Sequence, residues 1–120
     1  MGQVAEQAVC NYLRALQWEI LATNYRCPAG EIDIVAREQA ADGPVLVFVE
    51  VKARSGTAFG SALSAVTLKK QQKLAQCALH FLGEYPQGNN EPHCRFDIAA
   101  ATMLPANAIR VELHRAAFTA

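Results

Sequence analysis

The stretch VFVEVKAR, residues 47–54, decides the fold that this sequence predicts. Its nearly continuous apolar character is typical of a central strand that is covered on both faces. A second apolar run, GEIDIVA at 30–36, precedes it, and the segment QAADGP between them contains the Asp-Gly signal of a hairpin turn. Both runs nevertheless contain charged residues, Asp33 in the first, and Glu50 and Lys52 in the second. Charge inside two core-like strands is the feature that a function has to explain.

Helices and strands follow one another around this hairpin. Apolar residues recur at helical spacing before the hairpin and again after it, which predicts two amphipathic helices. The second helix has the length of a right-handed crossover, so the strands on either side of it should be parallel. We therefore predict one α/β domain over residues 1–120, a mixed sheet of about five strands flanked by helices in the order αβββαββ. The predicted elements are a helix over 4–16, strands over 18–26, 31–38 and 45–54, a helix over 67–85, and strands over 94–103 and 108–115.

The composition indicates a globular protein without a membrane anchor. The chain is 52% hydrophobic and 18% charged, which is enough apolar material for a core. No apolar run approaches the roughly 18 to 20 residues that cross a bilayer, and the N-terminus lacks the basic region of a secretory signal. The formal net charge of zero is not the signature of a strongly basic nucleic-acid binder. We expect a cytoplasmic protein with no membrane partner.

The four cysteines do not form a metal-binding motif. Cys10, Cys27, Cys77 and Cys94 are widely scattered and include no C-x-x-C pair, which argues against a zinc site. We interpret them as reduced thiols that mostly fill the core.

The hairpin should bring two carboxylates together. Glu50 and Lys52 project from the same face of the third strand, because side chains alternate across a strand. If the turn is centred between Ala41 and Asp42, Asp33 lies opposite Glu50, with Cβ atoms about 5 Å apart. Such a pair repels unless a cation or a proton lies between the acids. Mg²⁺ suits two carboxylates, waters and a substrate phosphate, and Lys52 could orient a metal-bound water. The alternative is a structural ion-pair triad, although one lysine does not neutralise two acids.

Two helical residues could extend this cluster. Glu6 projects at the edge of the first helix's apolar stripe, where it could complete a metal's outer shell or bind a second ion. Alternatively, it is an ordinary acid in a first helical turn. Lys70 lies close to the line of apolar residues on the second helix, so it should extend toward the end of the sheet.

A basic zone follows the third strand. Between Glu50 and Glu84 there is no acidic residue, while five basic residues fall there. They could contact a phosphate backbone, or they could form a solvated helix face. The candidates for phosphate contacts are Arg54, Lys69, Lys70, Gln71 and Lys73, with Arg95 as a further cation.

This ordered set of residues resembles the PD-(D/E)XK nuclease superfamily. The resembling elements are a helix with Glu6, a strand with Asp33, a strand that ends Glu50-Val51-Lys52, and a crossover helix with Lys70 and Gln71. More closely, the chain resembles the YraN-like family of small bacterial proteins over nearly its whole length. The stretches that carry this resemblance are GEIDIVA at 30–36, VFVEVKARSGTAFGSALSAVTLKK at 47–70 and RFDIAA at 95–100.

The sequence departs from the pattern at two positions. Ile32 stands before Asp33, where the superfamily often has proline, and this leaves the ligand role of Asp33 intact. Gln17 stands after the first helix, where the family would have glycine. This second departure affects a turn and not the site.

The resemblance implies a restriction-endonuclease-like fold, similar to archaeal Holliday junction resolvases. It also implies Mg²⁺-dependent phosphodiester hydrolysis, with Mn²⁺ as the substitute ion. Asp33, Glu50 and the Val51 carbonyl would be the metal ligands, and Lys52 would lie beside the attacking water. With Glu6, these acids and Lys52 form the catalytic set that the resemblance predicts.

Two hypotheses of different classes follow. The first is a metal-dependent DNA endonuclease that acts on branched or damaged DNA, and a homodimer would suit a chain too small to wrap a duplex. The second is a catalytically inactive nucleic-acid-binding or adaptor protein that retains the nuclease fold. Paired carboxylates that face phosphate argue against the second hypothesis, whereas the neutral net charge argues for it.

Overall fold

The computed structural model describes residues 2–55, 66–85 and 93–119. They form a five-stranded sheet in the spatial order β1-β2-β3-β4-β5 with two α-helices, and the chain order is the predicted αβββαββ. No helix in these ranges is long and apolar enough to cross a membrane. The elements are α1 (Gly2–Ala15), β1 (Glu19–Cys27), β2 (Gly30–Ala40), β3 (Gly43–Ser55), α2 (Leu68–Glu84), β4 (His93–Met103) and β5 (Ile109–Phe118), with a 3₁₀ turn at Pro105–Asn107 before β5.

The β2–β3 hairpin has the predicted register. Ala40 pairs with Gly43 across a two-residue loop, and the antiparallel ladder runs without a shift to the pair Ile34–Val49. Because β-pairing advances both strands by one residue at a time, the next positions after that pair are Asp33 and Glu50. The turn between Ala41 and Asp42 therefore determines which acids meet at the far end of the hairpin.

Strand β3 lies at the centre of the sheet. It pairs with β2 on one side and with β4 on the other, in parallel from Val45–His93 to Ser55–Met103. The other strand pairs are antiparallel, so the sheet is mixed as predicted. The parallel pair requires a crossover, and α2 lies within the connection between the two strands.

Each face of the sheet packs against one helix. On one face α1 buries Ala5, Val9 and Leu13 against alternate strand residues that include Val47 and Val49. On the other face α2 buries its own apolar stripe against the intervening residues. The α2 stripe consists of Leu74, Cys77, Ala78 and Phe81. This two-faced cover explains why β3 reads as a continuous apolar run.

The turn that follows helix α1 contains a residue in the left-handed region. Gln17 has a φ of 71°. Its N–H donates to the Arg14 carbonyl at 2.9 Å, and the Trp18 N–H donates to the Leu13 carbonyl at 3.1 Å. These two bonds form a Schellman motif, in which glycine is the favoured residue because it adopts positive φ without strain. The family's glycine would thus fit the backbone that Gln17 adopts.

Three of the four cysteines contribute to the core, as predicted. Cys10 and Cys77 are buried in it, and the half-buried Cys27 packs against the cluster that contains Cys77. Cys94 is exposed.

Candidate functional site

Strands β2 and β3 separate at the Asp33 position. The β2–β3 ladder ends at Ile34–Val49, while β3 continues to pair with β4 as far as Ser55. The carboxylate of Asp33 accepts a hydrogen bond from the Val51 N–H, with 2.8 Å between Val51 N and Asp33 Oδ2. A side chain thus takes the place of a backbone partner there, and it holds Asp33 beside the Glu50-Val51-Lys52 segment.

Glu50 is a buried carboxyl in this opening. Only 4% of the residue is exposed, because it lies on the face of β3 that α2 covers. The pKa of Glu50 is raised to about 8, chiefly by burial and then by the hydrogen bond and the negative charge of Asp33, against the charges of Lys70 and Lys52, which lower it. Among the described residues, Oε2 of Glu50 has no hydrogen-bond partner. Burial beside Asp33 therefore favours the protonated form of Glu50 near neutral pH.

Lys70 extends from α2 to this buried carboxyl. Its Nζ lies 3.3 Å from Glu50 Oε2, an ion-pair distance without hydrogen-bond geometry, and 40% of its side chain is exposed. Thr67 caps the helix by accepting a hydrogen bond from the Lys70 N–H at 3.2 Å. The cap fixes the first turn of α2. The ion pair between Lys70 and Glu50 confirms the prediction that Lys70 extends toward the sheet.

Lys52 is the second cation of the site. It is half-buried and lies two positions beyond Glu50 on the same face of β3, as strand alternation requires. Its charge lowers the pKa of Glu50 less than that of Lys70 does. Two lysines therefore face the acid pair, one from the sheet and one from the helix.

Glu6 reaches the same end of the sheet from α1. It lines an open cavity of about 480 Å³ together with Asp33, Asn24 and Glu31. Burial raises the pKa of Glu6, and the negative charges of Asp33 and Glu31 add to this rise, while a hydrogen bond from Asn24 at 2.8 Å opposes it. Asp33 thus interacts electrostatically with both Glu50 on β3 and Glu6 on α1.

The sequence did not single out Asn24 as a partner of Glu6. Asn24 has a φ of 51° within β1. Asparagine is enriched in this left-handed region, so an asparagine inside an otherwise regular strand was the available signal.

The donor set fits one hard cation better than a metal cluster. Asp33 and Glu50 offer carboxylate oxygens, and the buried Glu50 Oε2, which has an ion pair with Lys70 but no hydrogen bond among the described residues, is an atom that a cation would satisfy. Within the described ranges, no three His, Cys, Asp or Glu side chains converge on one point. Glu6 therefore does not join the pair as a third ligand of the same ion. Mg²⁺ suits such a site, because it binds few protein oxygens and retains water or phosphate ligands.

The predicted phosphate-binding residues have different surroundings. Lys69 and Lys73 are exposed on α2, and Arg54 is half-buried near the end of β3. The amide of Gln71 donates to the Val66 carbonyl at 3.2 Å, so it holds the chain that enters the helix. Among the described residues, Lys70 is the basic residue of α2 that forms an ion pair with the acid cluster.

Arg95 is not available to a phosphate, and this prediction was wrong. Its guanidinium donates to both oxygens of Asp97, at 2.8 and 3.0 Å, and to Glu38 at 2.7 Å. Only 20% of the Arg95 side chain is exposed, and it lies over the ring of Trp18. A guanidinium committed to two carboxylates serves structure.

Asp97 is the fully buried partner in this network. It is 0% exposed and also accepts the Ala116 N–H at 3.0 Å, where the β4–β5 register shifts. The carboxylate accepts from a backbone N–H that has no backbone acceptor in the irregular ladder. The charged residues of the stretch at 95–100 therefore hold the edge strand in place.

Comparisons with known proteins match almost the whole chain. The family model described as "Uncharacterised protein family UPF0102" matches residues 5–101. A UPF0102 protein of Symbiobacterium thermophilum is 41% identical over 120 residues, which cover 100% of this chain and 97% of that protein. A UPF0102 protein of Ralstonia nicotianae is 42% identical over 120 residues, covering 98% and 85%. One from Geotalea daltonii is 43% identical over 100 residues, covering 83% and 74%.

Proposed function

The chain belongs to the UPF0102 family, and we propose that it is a divalent-metal-dependent endonuclease that hydrolyses phosphodiester bonds in DNA. The observation that carries the proposal is the acid pair Asp33–Glu50 at the opening of the β2–β3 hairpin, with a buried carboxylate oxygen that lacks a hydrogen-bond partner. Two lysines beside the pair supply positive charge for a phosphate. This arrangement favours the PD-(D/E)XK chemistry that the sequence resembles.

Asp33, Glu50 and the Val51 carbonyl would hold the ion, which is Mg²⁺ or, as a substitute, Mn²⁺. The bound ion would supply an acidified water and would neutralise charge on the phosphate. Glu50 has to release its proton for this, and its pKa of about 8 means that metal binding should release protons near neutral pH. The hydrogen bond from Val51 N–H holds the Asp33 carboxylate in place before the ion arrives.

Lys52 and Lys70 would have different tasks. Lys52 follows the acid pair on β3, so it would orient the attacking water and stabilise charge that develops on the phosphate. Lys70 lies 3.3 Å from Glu50, and its charge lowers the pKa of that carboxyl. Its ammonium would also contact a phosphate oxygen, because 40% of its side chain is exposed.

The DNA backbone would lie along the first half of α2. Lys69 and Lys73 are exposed there, and Arg54 is half-buried near the end of β3. These cations would position the duplex without reading its sequence. A second copy of the chain would supply the rest of the contact surface. We propose that the protein is cytoplasmic and that its substrate is branched or damaged DNA.

A cleavage screen with matched variants tests the proposal. Flapped, four-way, single-stranded and duplex DNA and RNA would be incubated with the wild-type protein in Mg²⁺ or Mn²⁺, or in chelator. The wild type should cleave at least one of these substrates, and Asp33→Asn and Glu50→Gln should abolish that cleavage. Asp42→Asn removes an exposed carboxylate from the turn of the same hairpin and should retain it.

Calorimetry separates the proposal from its rival. Wild-type protein should bind Mg²⁺ or Mn²⁺, and Asp33→Asn and Glu50→Gln should lose that binding. DNA binding without metal binding or cleavage would instead support an inactive binding or adaptor protein. Equal metal binding by Asp33→Asn and the wild type would overturn the metal-centred proposal.

A further inference from the structure

Two cysteines distant in sequence meet beside α2. The Sγ atoms of Cys27 and Cys77 are 2.8 Å apart, although 50 residues separate them in the chain. Cys27 ends β1, and Cys77 lies in the buried stripe of α2. The fold therefore places two thiols in direct contact, a geometry that core filling by either cysteine alone does not require.

The turn after β1 wraps around these sulfur atoms. The Ala29 N–H donates to Cys27 Sγ at 3.3 Å. Gly30 in this turn also lies beside α2, since a Cβ on it would be in ordinary van der Waals contact with Cys77 Sγ at 3.8 Å. Cys27 is half-buried and Cys77 is buried, so a reagent from solution reaches Cys27 first.

The two thiols are chemically unequal. Hydrogen bonds from Cys77 and from the backbone N–H groups of Ala29 and Gly30 lower the pKa of Cys27. Burial, together with the hydrogen bond and the charge of Cys27, raises the pKa of Cys77 to about 12. Cys27 is thus the thiol more readily converted to a nucleophilic thiolate, and Cys77 is the resolving partner.

We propose that Cys27 and Cys77 form an oxidant-responsive dithiol that closes to a reversible disulfide with a peroxide as the oxidant. The Cys27 sulfur attacks one peroxide oxygen, so that an S–O bond forms and the O–O bond breaks. Hydroxide leaves and is protonated to water, and Cys27 becomes a sulfenic acid. The Cys77 sulfur then attacks the Cys27 sulfur, an S–S bond replaces the S–O bond, and a second water leaves with the thiol proton. Two thiols lose two electrons in total, and one peroxide becomes two waters.

The disulfide would join the β1–β2 turn to α2. Cys77 lies seven residues after Lys70, about two helical turns along the helix that carries Lys70 to Glu50. Closing a loop of 50 residues restricts the unfolded chain, so oxidation should raise the thermal midpoint by about 10 °C. The inference depends on the contact between two thiols, so it holds whether or not the protein cleaves DNA.

Mass spectrometry and thermal denaturation test this proposal on the full chain. A Cys94→Ser background removes the exposed thiol that would otherwise link two molecules. After treatment with stoichiometric hydrogen peroxide, this protein should lose the mass of two hydrogen atoms. Its peptide map should contain a Cys27–Cys77 cross-link, and its midpoint should rise. Dithiothreitol should reverse the mass change and the midpoint shift.

Two further variants make the outcomes decisive. Cys27→Ser in the same background should show neither the mass loss nor the shift, whereas Cys10→Ala should show both, because Cys10 lies in the other core cluster. If peroxide leaves Cys27 as a sulfinic acid, or links it to any cysteine other than Cys77, the proposal is overturned. It is also overturned if both thiols remain reduced.

Discussion

The Lys70 ammonium lies 3.3 Å from Oε2 of Glu50, so the crossover helix supplies the cation nearest to a carboxyl buried in the central strand. Asp33 faces the same carboxyl from the neighbouring strand and raises its pKa. The pKa of Glu50 thus depends on Asp33 on β2 and on Lys70 on α2. Measuring the protonation of Glu50 therefore tests most of the site.

The stability of the metal-free protein should fall as the pH rises toward 8. The pKa of Glu50 is about 8 in the folded protein, above the roughly 4.3 of an unfolded glutamate. The folded state therefore binds more protons between these values. This contribution is complete below about pH 4.3 and is lost as the pH approaches and passes 8. Glu50→Gln should remove it, so the wild type should lose a few kcal/mol relative to the variant between about pH 5.5 and pH 8.5.

Urea unfolding in chelator at several pH values measures this difference. Asp42→Asn, which removes an exposed acid, should follow the wild type. If the free energies of unfolding of Glu50→Gln and the wild type change in parallel with pH, Glu50 has the same pKa in the native and unfolded states and the prediction is wrong.

Loss of Lys70 should make Glu50 a weaker acid still. The charge of Lys70 lowers the pKa of Glu50, so Lys70→Met should raise that pKa above about 8. The carboxyl carbon of Glu50 can be followed by NMR across a pH titration without metal. Lys73→Met removes an exposed lysine from the same helix and should leave the titration unchanged. Identical curves for the two variants would exclude Lys70 as the partner of Glu50.

Lys52 should matter for cleavage and not for metal affinity. It lies near the acid pair but offers no ligand to a cation, so Lys52→Ala should bind Mg²⁺ as the wild type does. If the protein cleaves DNA, the rate should fall about 100-fold or more, because a group that stabilises developing charge is lost. Single-turnover cleavage and calorimetry measure the two effects separately. Undiminished cleavage would remove Lys52 from the mechanism.

Gln17→Gly should stabilise the fold. Gln17 adopts a φ of 71° at the end of α1, where glycine is free of Cβ strain. The gain should be about 0.5–1 kcal/mol in the free energy of unfolding, measured in urea. Gln7→Gly provides the opposite control, because Gln7 lies inside α1 and glycine costs about 1 kcal/mol there. A loss of stability in Gln17→Gly would contradict the assigned cap.

Asp97→Asn should destabilise the protein by about 3 kcal/mol, because it removes the buried one of the two carboxylates that pair with the Arg95 guanidinium. Glu19→Gln removes an acid from the more exposed ion pair with Arg37 and should cost less than about 1 kcal/mol. Urea unfolding compares the two variants. Equal losses in the two would show that the Arg95–Asp97 network contributes no more than a surface pair.

Local signals predicted the strands and the register of the hairpin. The Asp-Gly turn and the alternation along the two strands sufficed to place Asp33 next to Glu50 and Lys52 on the same face as Glu50. Hairpin pairing depends on a turn and on two adjacent segments, so sequence determines it directly. The departure at Gln17 was also visible in the sequence, although its positive φ was not.

Contacts between distant segments required the tertiary structure. Arg95 was predicted to meet phosphate, but it pairs with Glu38, which is distant in the sequence, and with its strand neighbour Asp97. Cys27 and Cys77 were predicted only as reduced thiols that mostly fill the core, and their contact was not foreseen. These pairs depend on how the crossover helix and β4 lie on the sheet, which no local pattern encodes.

The sequence by itself thus determined the order of the elements, the central strand and the meeting of two acids across one hairpin, because turn chemistry and side-chain alternation are local properties. Only the tertiary structure decided that Glu50 is buried, that Lys70 from α2 faces it and that Arg95 is paired with Asp97 and Glu38. Burial and long-range charge pairing arise from the packing of the helices on both faces of the sheet. They in turn determine the pKa of Glu50 and therefore the chemistry of the site.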